Sequence, residues 1–99
     1  MAVERIVSPE AEADLSDTYG WYERQRPGLG EDFLRRVDAC VQSVWRSPEI
    51  YPSVKGGYRR ALVRKFPFAV FFLADANAVT IYCIFHTSRD PDKWRQRLP

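Results

Sequence analysis

The residues best suited to chemistry in this sequence are cations gathered in its second half. Arg59, Arg60, Arg64 and Lys65 all fall within residues 58–65. Residues 1–49 hold ten acids and six Lys or Arg (net −4), whereas residues 50–99 hold three acids and nine Lys or Arg (net +6). The second half is therefore expected to meet an anionic partner such as nucleic acid or an acidic protein segment. The alternative is that these charges protect a strand from aggregation or simply solubilise it.

Aromatic and titratable side chains accompany the cations. Tyr58 and Tyr82 are able to stack on bases, and His86 is the only histidine, a residue type that changes charge near neutral pH. The alternative is that the tyrosines pack in the core and the histidine forms a structural hydrogen bond. Cys40 and Cys83 lie in apolar stretches and are predicted to be buried free thiols. The sequence predicts no metal site and no cofactor.

Two amphipathic helices and a short first strand precede the cationic segment. The strand is predicted at Val3–Val7, and Ser8-Pro9 supplies an N-cap and a first-turn proline. Pro27-Gly28 ends the first helix, and the second runs from near Gly30 to Ser47-Pro48. Because only a short turn separates them, the helices are expected to pack as an antiparallel hairpin. Their apolar residues recur at helical spacing: Ala11, Leu15, Tyr19 and Tyr22, then Phe33, Val37, Val41 and Val44.

Three strands are predicted to carry the candidate residues: Tyr58–Lys65, Phe66–Ala74 and Ala78–His86, with residues 50–57 as a loop. Short connections predict an antiparallel meander. Strict alternation would place Val79, Ile81, Cys83 and Phe85 beneath the helices, and Thr80, Tyr82, Ile84 and His86 on an open, mixed aromatic and polar face.

The predicted fold class is α+β, in one domain spanning residues 1–99. A small, largely antiparallel sheet in the order β-α-α-β-β-β, with a short C-terminal helix after Asp90, would carry the helical hairpin on one face. The first strand is expected at an edge or beside a later strand. No signal peptide and no run of about 18 apolar residues is present, so the sequence predicts a cytoplasmic protein without a membrane span.

Several segments, in this order, resemble the RelE/ParE toxin superfamily of type II toxin–antitoxin systems. They are the strand-to-helix entry Ser8–Leu15, the run Gly57-Tyr58-Arg59-Arg60, the run Phe66–Phe72, and Ile84–Pro91 with Trp94. The resemblance implies a small sheet with two helices on one face. It also implies the toxin of a plasmid-stabilisation module, neutralised by a small antitoxin that wraps around it, and a possible hetero-oligomer of the two.

Two activities occur in the superfamily, and they imply different sites. RelE-like toxins cut mRNA on the ribosome, which requires a proton acceptor, cations for the phosphate and an acid for the leaving oxygen. The matching catalytic candidates here are Arg60 or Arg64 for the phosphate, His86 as acid or base, and Arg89 for additional charge. ParE-like toxins poison DNA gyrase and cut no RNA.

The sequence departs from the ribonuclease pattern and is more similar to ParE. RelE-type ribonucleases carry an arginine where the second long strand begins, but Phe66-Pro67-Phe68 stands there, and no tyrosine follows His86. We therefore expect a non-enzymatic gyrase inhibitor; the alternatives are a ribosome-dependent mRNA endoribonuclease and a non-catalytic RNA-binding module. An added strand or an amphipathic, acidic antitoxin segment would suit the open face. The residues predicted to bind antitoxin or target are Tyr58, Arg59, Arg60, Arg64, Tyr82, His86, Arg89 and Trp94.

Overall fold

The computed structural model describes residues 3–87 together with Gln96 and Leu98. It confirms an α+β fold in which a helical hairpin precedes and covers a mostly antiparallel sheet. The short helix predicted after Asp90 falls mostly on residues outside the described ones, although Gln96 is helical. The elements are β1 (Glu4–Val7), α1 (Pro9–Gln25), α2 (Leu29–Arg46), a single 3₁₀ turn (Pro48–Ile50), β2 (Ser53–Lys55), β3 (Tyr58–Leu62), β4 (Phe68–Ala74) and β5 (Ala78–His86).

Local capping explains where the helices begin and how closely they pack. The Ser8 hydroxyl accepts a hydrogen bond from the Ala11 amide at 3.0 Å, as an N-cap residue should. Glu23, near the end of α1, accepts hydrogen bonds from the amides of Gly28 at 3.0 Å and Gly30 at 2.8 Å. These amides belong to the start of α2 and have no partner within that helix. The carboxylate therefore joins the two helices at their turn.

Within residues 3–87 the sheet has five strands in the order β1-β5-β4-β3-β2. As expected, β1 lies at an edge beside a later strand; it pairs parallel with β5, and the other pairs are antiparallel. The prediction of a loop over residues 50–57 was wrong, because β2 forms within it. Gly56 and Gly57 have φ angles of 57° and 85°, which allow the two-residue turn that folds β2 back onto β3.

The connection between β3 and β4 is longer than predicted. β3 ends at Leu62, not Lys65, and β4 begins at Phe68, not Phe66. Lys65 has a φ angle of 69°, a left-handed conformation that no strand residue adopts. Pro67 lacks the amide hydrogen needed to continue a ladder. Arg64 and Lys65 therefore lie in a turn and not on a sheet face.

A β-bulge in β5 overturns the predicted assignment of faces. Phe71 pairs with Cys83 and Phe72 with Ile81, so Tyr82 is an extra residue that has no partner on β4. One extra residue reverses the alternation that follows. Cys83 therefore lies on the face away from the helices, where Phe85 also packs, and Ile84 lies in the core beneath the helices.

Both faces of the sheet carry apolar clusters. The larger one lies under the helices and includes Phe33, Val37, Val44, Val70, Phe72 and Ile81. On the other face Tyr58, Ala69, Phe71 and Cys83 pack with Leu98, which is 6% exposed. Leu98 belongs to the C-terminal segment, so the predicted open underside is partly covered by the chain itself. Over residues 3–87, 96 and 98, neither helix combines the length and apolarity needed to cross a bilayer.

Candidate functional site

The predicted catalytic residues are divided between the two faces of the sheet. Arg60 pairs with Phe71, whose side chain packs on the face away from the helices. His86 pairs with Phe68, and its ring lies 5.1 Å from that of Phe68, a member of the core beneath the helices. The structure therefore does not bring Arg60 and His86 together, and the bulge at Tyr82 is the reason.

The other charged candidates also lie apart. Arg64 is exposed in the turn between β3 and β4. The Arg59 guanidinium donates to the carbonyl oxygens of Tyr51 and Glu49, the latter at 3.5 Å. It therefore ties the segment after α2 to the sheet. Arg89 and Trp94 lie outside the described residues.

Tyr58 and Tyr82 are brought together, but as a packed pair. Their rings meet edge to face with centroids 5.3 Å apart, and Tyr58 is only 7% exposed. Burial, followed by the neighbouring Tyr82, raises the pKa of the Tyr58 hydroxyl. A tyrosine this buried offers little ring surface to a base, so packing explains it better than stacking on nucleic acid.

The N-cap residue of α1 and one residue within that helix hold the bulged part of β5. The β1 strand ends at Val7, opposite Ile81, so beyond this point no strand of the described part of the chain pairs with β5 on that side. The Ser8 hydroxyl donates to the Tyr82 carbonyl oxygen at 2.9 Å, and the Asp14 carboxylate accepts from the Ile84 amide at 3.0 Å. These side chains supply the partners that a sixth strand would otherwise give. They also stabilise the register that separates Arg60 from His86.

An apolar groove lies where the two helices meet the β1–β5 side of the sheet. Its volume is about 310 Å³. Among the described residues, Asp38 is the only charged one that borders it. The sequence assigned its helical residues to the core, but Leu15, Leu34 and Val41 are only half-buried. The apolar lining is Val7, Leu15, Leu34, Val37, Val41, Ile81 and Ile84.

A second, cationic cleft lies between α2 and the turn joining β3 to β4. Its volume is about 570 Å³, and Arg35, Arg36 and Lys65 line it. Sequence reasoning missed this grouping, because it described the second helix only by its apolar residues and placed Lys65 in a strand. No local pattern joins residues 36 and 65, since only the packing of α2 on the sheet brings them together. Among the described residues, no group of three or more His, Cys, Asp or Glu is arranged to hold a metal.

Comparisons with known proteins agree on one family. The model of the family described as "ParE toxin of type II toxin-antitoxin system, parDE" matches residues 5–91. A solved structure titled "Chromosomal ParDE TA system from P. aeruginosa" superposes with a TM-score of 0.76 at 19% identity, covering 85% of this chain and 95% of that one. No curated protein matches.

At that identity the structural likeness shows a shared fold, whereas the family match spans most of the sequence. The helical hairpin, the antiparallel meander and all but the first residue of the parallel first strand fall within the matched residues. The chain therefore belongs to the ParE toxin family of type II toxin–antitoxin systems.

Proposed function

We propose that this toxin acts by inhibiting DNA gyrase and does not cut RNA. The observation that carries the proposal is the separation of Arg60 from His86 by the bulge at Tyr82. Such a target would place the toxin in the cytoplasm, within a module of the plasmid-stabilising kind.

The chemistry of RNA cleavage explains why this separation matters. A general base, a phosphate-binding cation and a general acid must all lie within hydrogen-bonding reach of one phosphodiester. Arg60 faces away from the helices, whereas His86 packs on Phe68 beneath them. A phosphate contacted by one of these side chains has the sheet between it and the other. A toxin that inhibits an enzyme by binding to its surface does not need these two side chains to lie on the same face.

Paired assays with the full chain test the proposal. The purified chain is added to gyrase in a supercoiling assay, and separately to ribosomes stalled on a defined mRNA. We expect supercoiling to fall while the mRNA stays intact. The variants Arg60→Ala and His86→Ala are compared with Arg46→Ala, an exposed α2 residue outside the predicted site. Cleavage at codon-defined positions that His86→Ala abolishes, with Arg46→Ala still active, would establish the ribonuclease alternative.

The antitoxin partner implied by the family is proposed to occupy the apolar groove. An amphipathic segment laid between the helices and β5 would bury Leu15, Leu34 and Val41, which the chain itself leaves half-exposed. Its acidic residues would remain outside, since Asp38 at the rim disfavours a second negative charge.

A charge placed in the groove tests this docking site. Val41→Glu should weaken binding of the small protein encoded beside the toxin gene by at least tenfold. Gln42→Glu, one residue away and exposed, serves as the control and should bind like the parent. Both variants should retain toxicity when expressed alone. Equal binding by the two variants would exclude the groove as the antitoxin site.

A further inference from the structure

The cationic cleft between α2 and the β3–β4 turn is separate from the apolar groove proposed for the antitoxin, and the two share no lining residue among the described ones. Arg36 is half-buried and lines this cleft together with Lys65. It also lines the neighbouring cleft, of about 210 Å³, in which Arg64 lies. The two clefts share Arg36 and therefore form one continuous cationic row that crosses from the helix to the turn.

The charges in this row are largely uncompensated. Arg35 forms an ion pair with Asp32, which is the only acid among the described residues that line either cleft. Arg36, Arg64 and Lys65 form no ion pair with any acid among the described residues. Cations held close together repel one another, so their grouping favours a bound anion more than the stability of the fold.

The turn is held so that it presents its cations to the cleft. Lys65 adopts a left-handed backbone with φ 69°, a conformation in which lysine is uncommon. The next residue, Phe66, packs its ring 5.0 Å from Tyr22 and 5.4 Å from Phe33. This contact anchors the turn to the helical hairpin, while Arg64 and Lys65 project outward as exposed residues. A strained, non-glycine residue beside a cleft is a feature found at binding sites.

We infer that this row binds the phosphodiester backbone of nucleic acid. Backbone phosphates repeat along each strand every 3.4 Å of axis and are recognised chiefly by Arg and Lys. A row of three cations from two elements can contact successive phosphates without reading sequence. An acidic amphipathic helix is better matched by the apolar groove, which has seven apolar lining residues, whereas the cationic cleft offers only Leu29, Ala39 and the half-buried ring of Phe66 among the described residues.

Duplex DNA is the expected source of these phosphates, and that choice rests on the proposed gyrase target. The phosphate site itself does not depend on gyrase. Binding to free nucleic acid and inhibition of gyrase are therefore measured separately. A chain that inhibits gyrase but leaves DNA unbound would refute this inference alone, and one that binds DNA without inhibiting gyrase would refute the proposed function alone.

The test is fluorescence anisotropy of a labelled duplex DNA titrated with the full chain at several salt concentrations. Three phosphate contacts predict a slope of log affinity against log salt of about −3. The triple variant Arg36→Gln, Arg64→Gln, Lys65→Gln should bring that slope close to zero and lower affinity at low salt by at least tenfold. The control variant removes three exposed arginines at the C-terminal ends of the two helices, Arg24→Gln, Arg26→Gln and Arg46→Gln, and has the same net charge as the cleft variant.

A second variant separates binding from folding. Lys65→Gly removes one cation and also relieves the left-handed strain, so it should raise the melting temperature while lowering DNA affinity. A duplex RNA of the same sequence is titrated in the same way, and the nucleic acid that binds with the higher affinity is identified as the source of the phosphates. The inference is overturned if the cleft and control variants lose DNA affinity equally, or if a polyglutamate peptide binds as tightly as either nucleic acid.

Discussion

Removing the Asp14 carboxylate should destabilise the protein through a single backbone amide in the sheet. The Ile84 amide donates to this carboxylate at 3.0 Å and lies where β5 has lost its β1 neighbour. Ile84 is only 3% exposed, so water does not readily replace the lost acceptor. Asp14→Ala should therefore leave a buried donor unsatisfied.

The expected magnitude follows from the type of bond. A hydrogen bond to a charged group contributes about 1.5–3 kcal/mol to stability. Alanine has a higher helix propensity than aspartate, so the substitution itself stabilises α1 by roughly 0.5 kcal/mol. The free energy of unfolding should therefore fall by about 1–2.5 kcal/mol. For a domain of this size the melting temperature should drop by roughly 4–20 °C.

Urea denaturation of the full chain made by cell-free synthesis measures this change without requiring cells to survive the toxin. Asp17→Ala is the matched control, because Asp17 is exposed on the same helix, and it should stay within about 0.5 kcal/mol of the parent. Asp14→Asn keeps an oxygen acceptor and should lose less stability than Asp14→Ala. Amide hydrogen exchange gives the local readout. If Ile84 exchanges as slowly in Asp14→Ala as in the parent, the assignment of this bond as the support of the bulge is wrong.

Three further predictions concern the helical turn, the hairpin turn and a thiol. In Gly30→Ala the new Cβ would lie 2.6 Å from the Glu23 Cγ and 2.8 Å from the Tyr19 carbonyl oxygen, so urea denaturation should show a loss of about 1–3 kcal/mol; an unchanged midpoint would contradict this. Hydrogen bonds from two turn amides lower the pKa of Asp75. The stability that ionised Asp75 contributes is therefore complete above the ordinary carboxyl pKa and is lost as the pH falls through the lowered pKa. An NMR titration in which Asp75 has an ordinary midpoint would refute this prediction. Burial raises the pKa of Cys40 to about 11, so at pH 8 the folded chain should react with a thiol reagent far more slowly than the unfolded chain, and equal rates would argue against burial.

The helices were predictable because their signals are local. The spacing of Phe33, Val37 and Val44 places all three on one helix face, and all three are buried. Ser8-Pro9 and Ser47-Pro48 mark helix ends by capping and by the missing proline amide, and neither effect needs a distant partner. The fold class and the family resemblance rest on the same local order of elements.

Only some of the strands were predictable, because whether a segment forms a strand depends on the strand that pairs with it. Three residues, Ser53–Lys55, form β2 only because β3 offers a ladder beside them. The Gly56-Gly57 pair signals a tight turn, and reading it as a hairpin would have revealed this strand. The bulge at Tyr82 has no such signal, because the sequence of a strand that contains one extra residue is no different in kind from that of a regular strand.

The amino-acid sequence alone determined which residues form helices, which half of the chain carries the excess positive charge, and which family it resembles. Each of these depends on residue type and on spacings of a few positions. Tertiary packing decided which side chains share a surface. It placed Arg60 and His86 on opposite faces, because one extra residue reverses a strand's alternation. It also joined Arg36 to Arg64 and Lys65, because α2 packs beside a turn nearly thirty residues away along the chain.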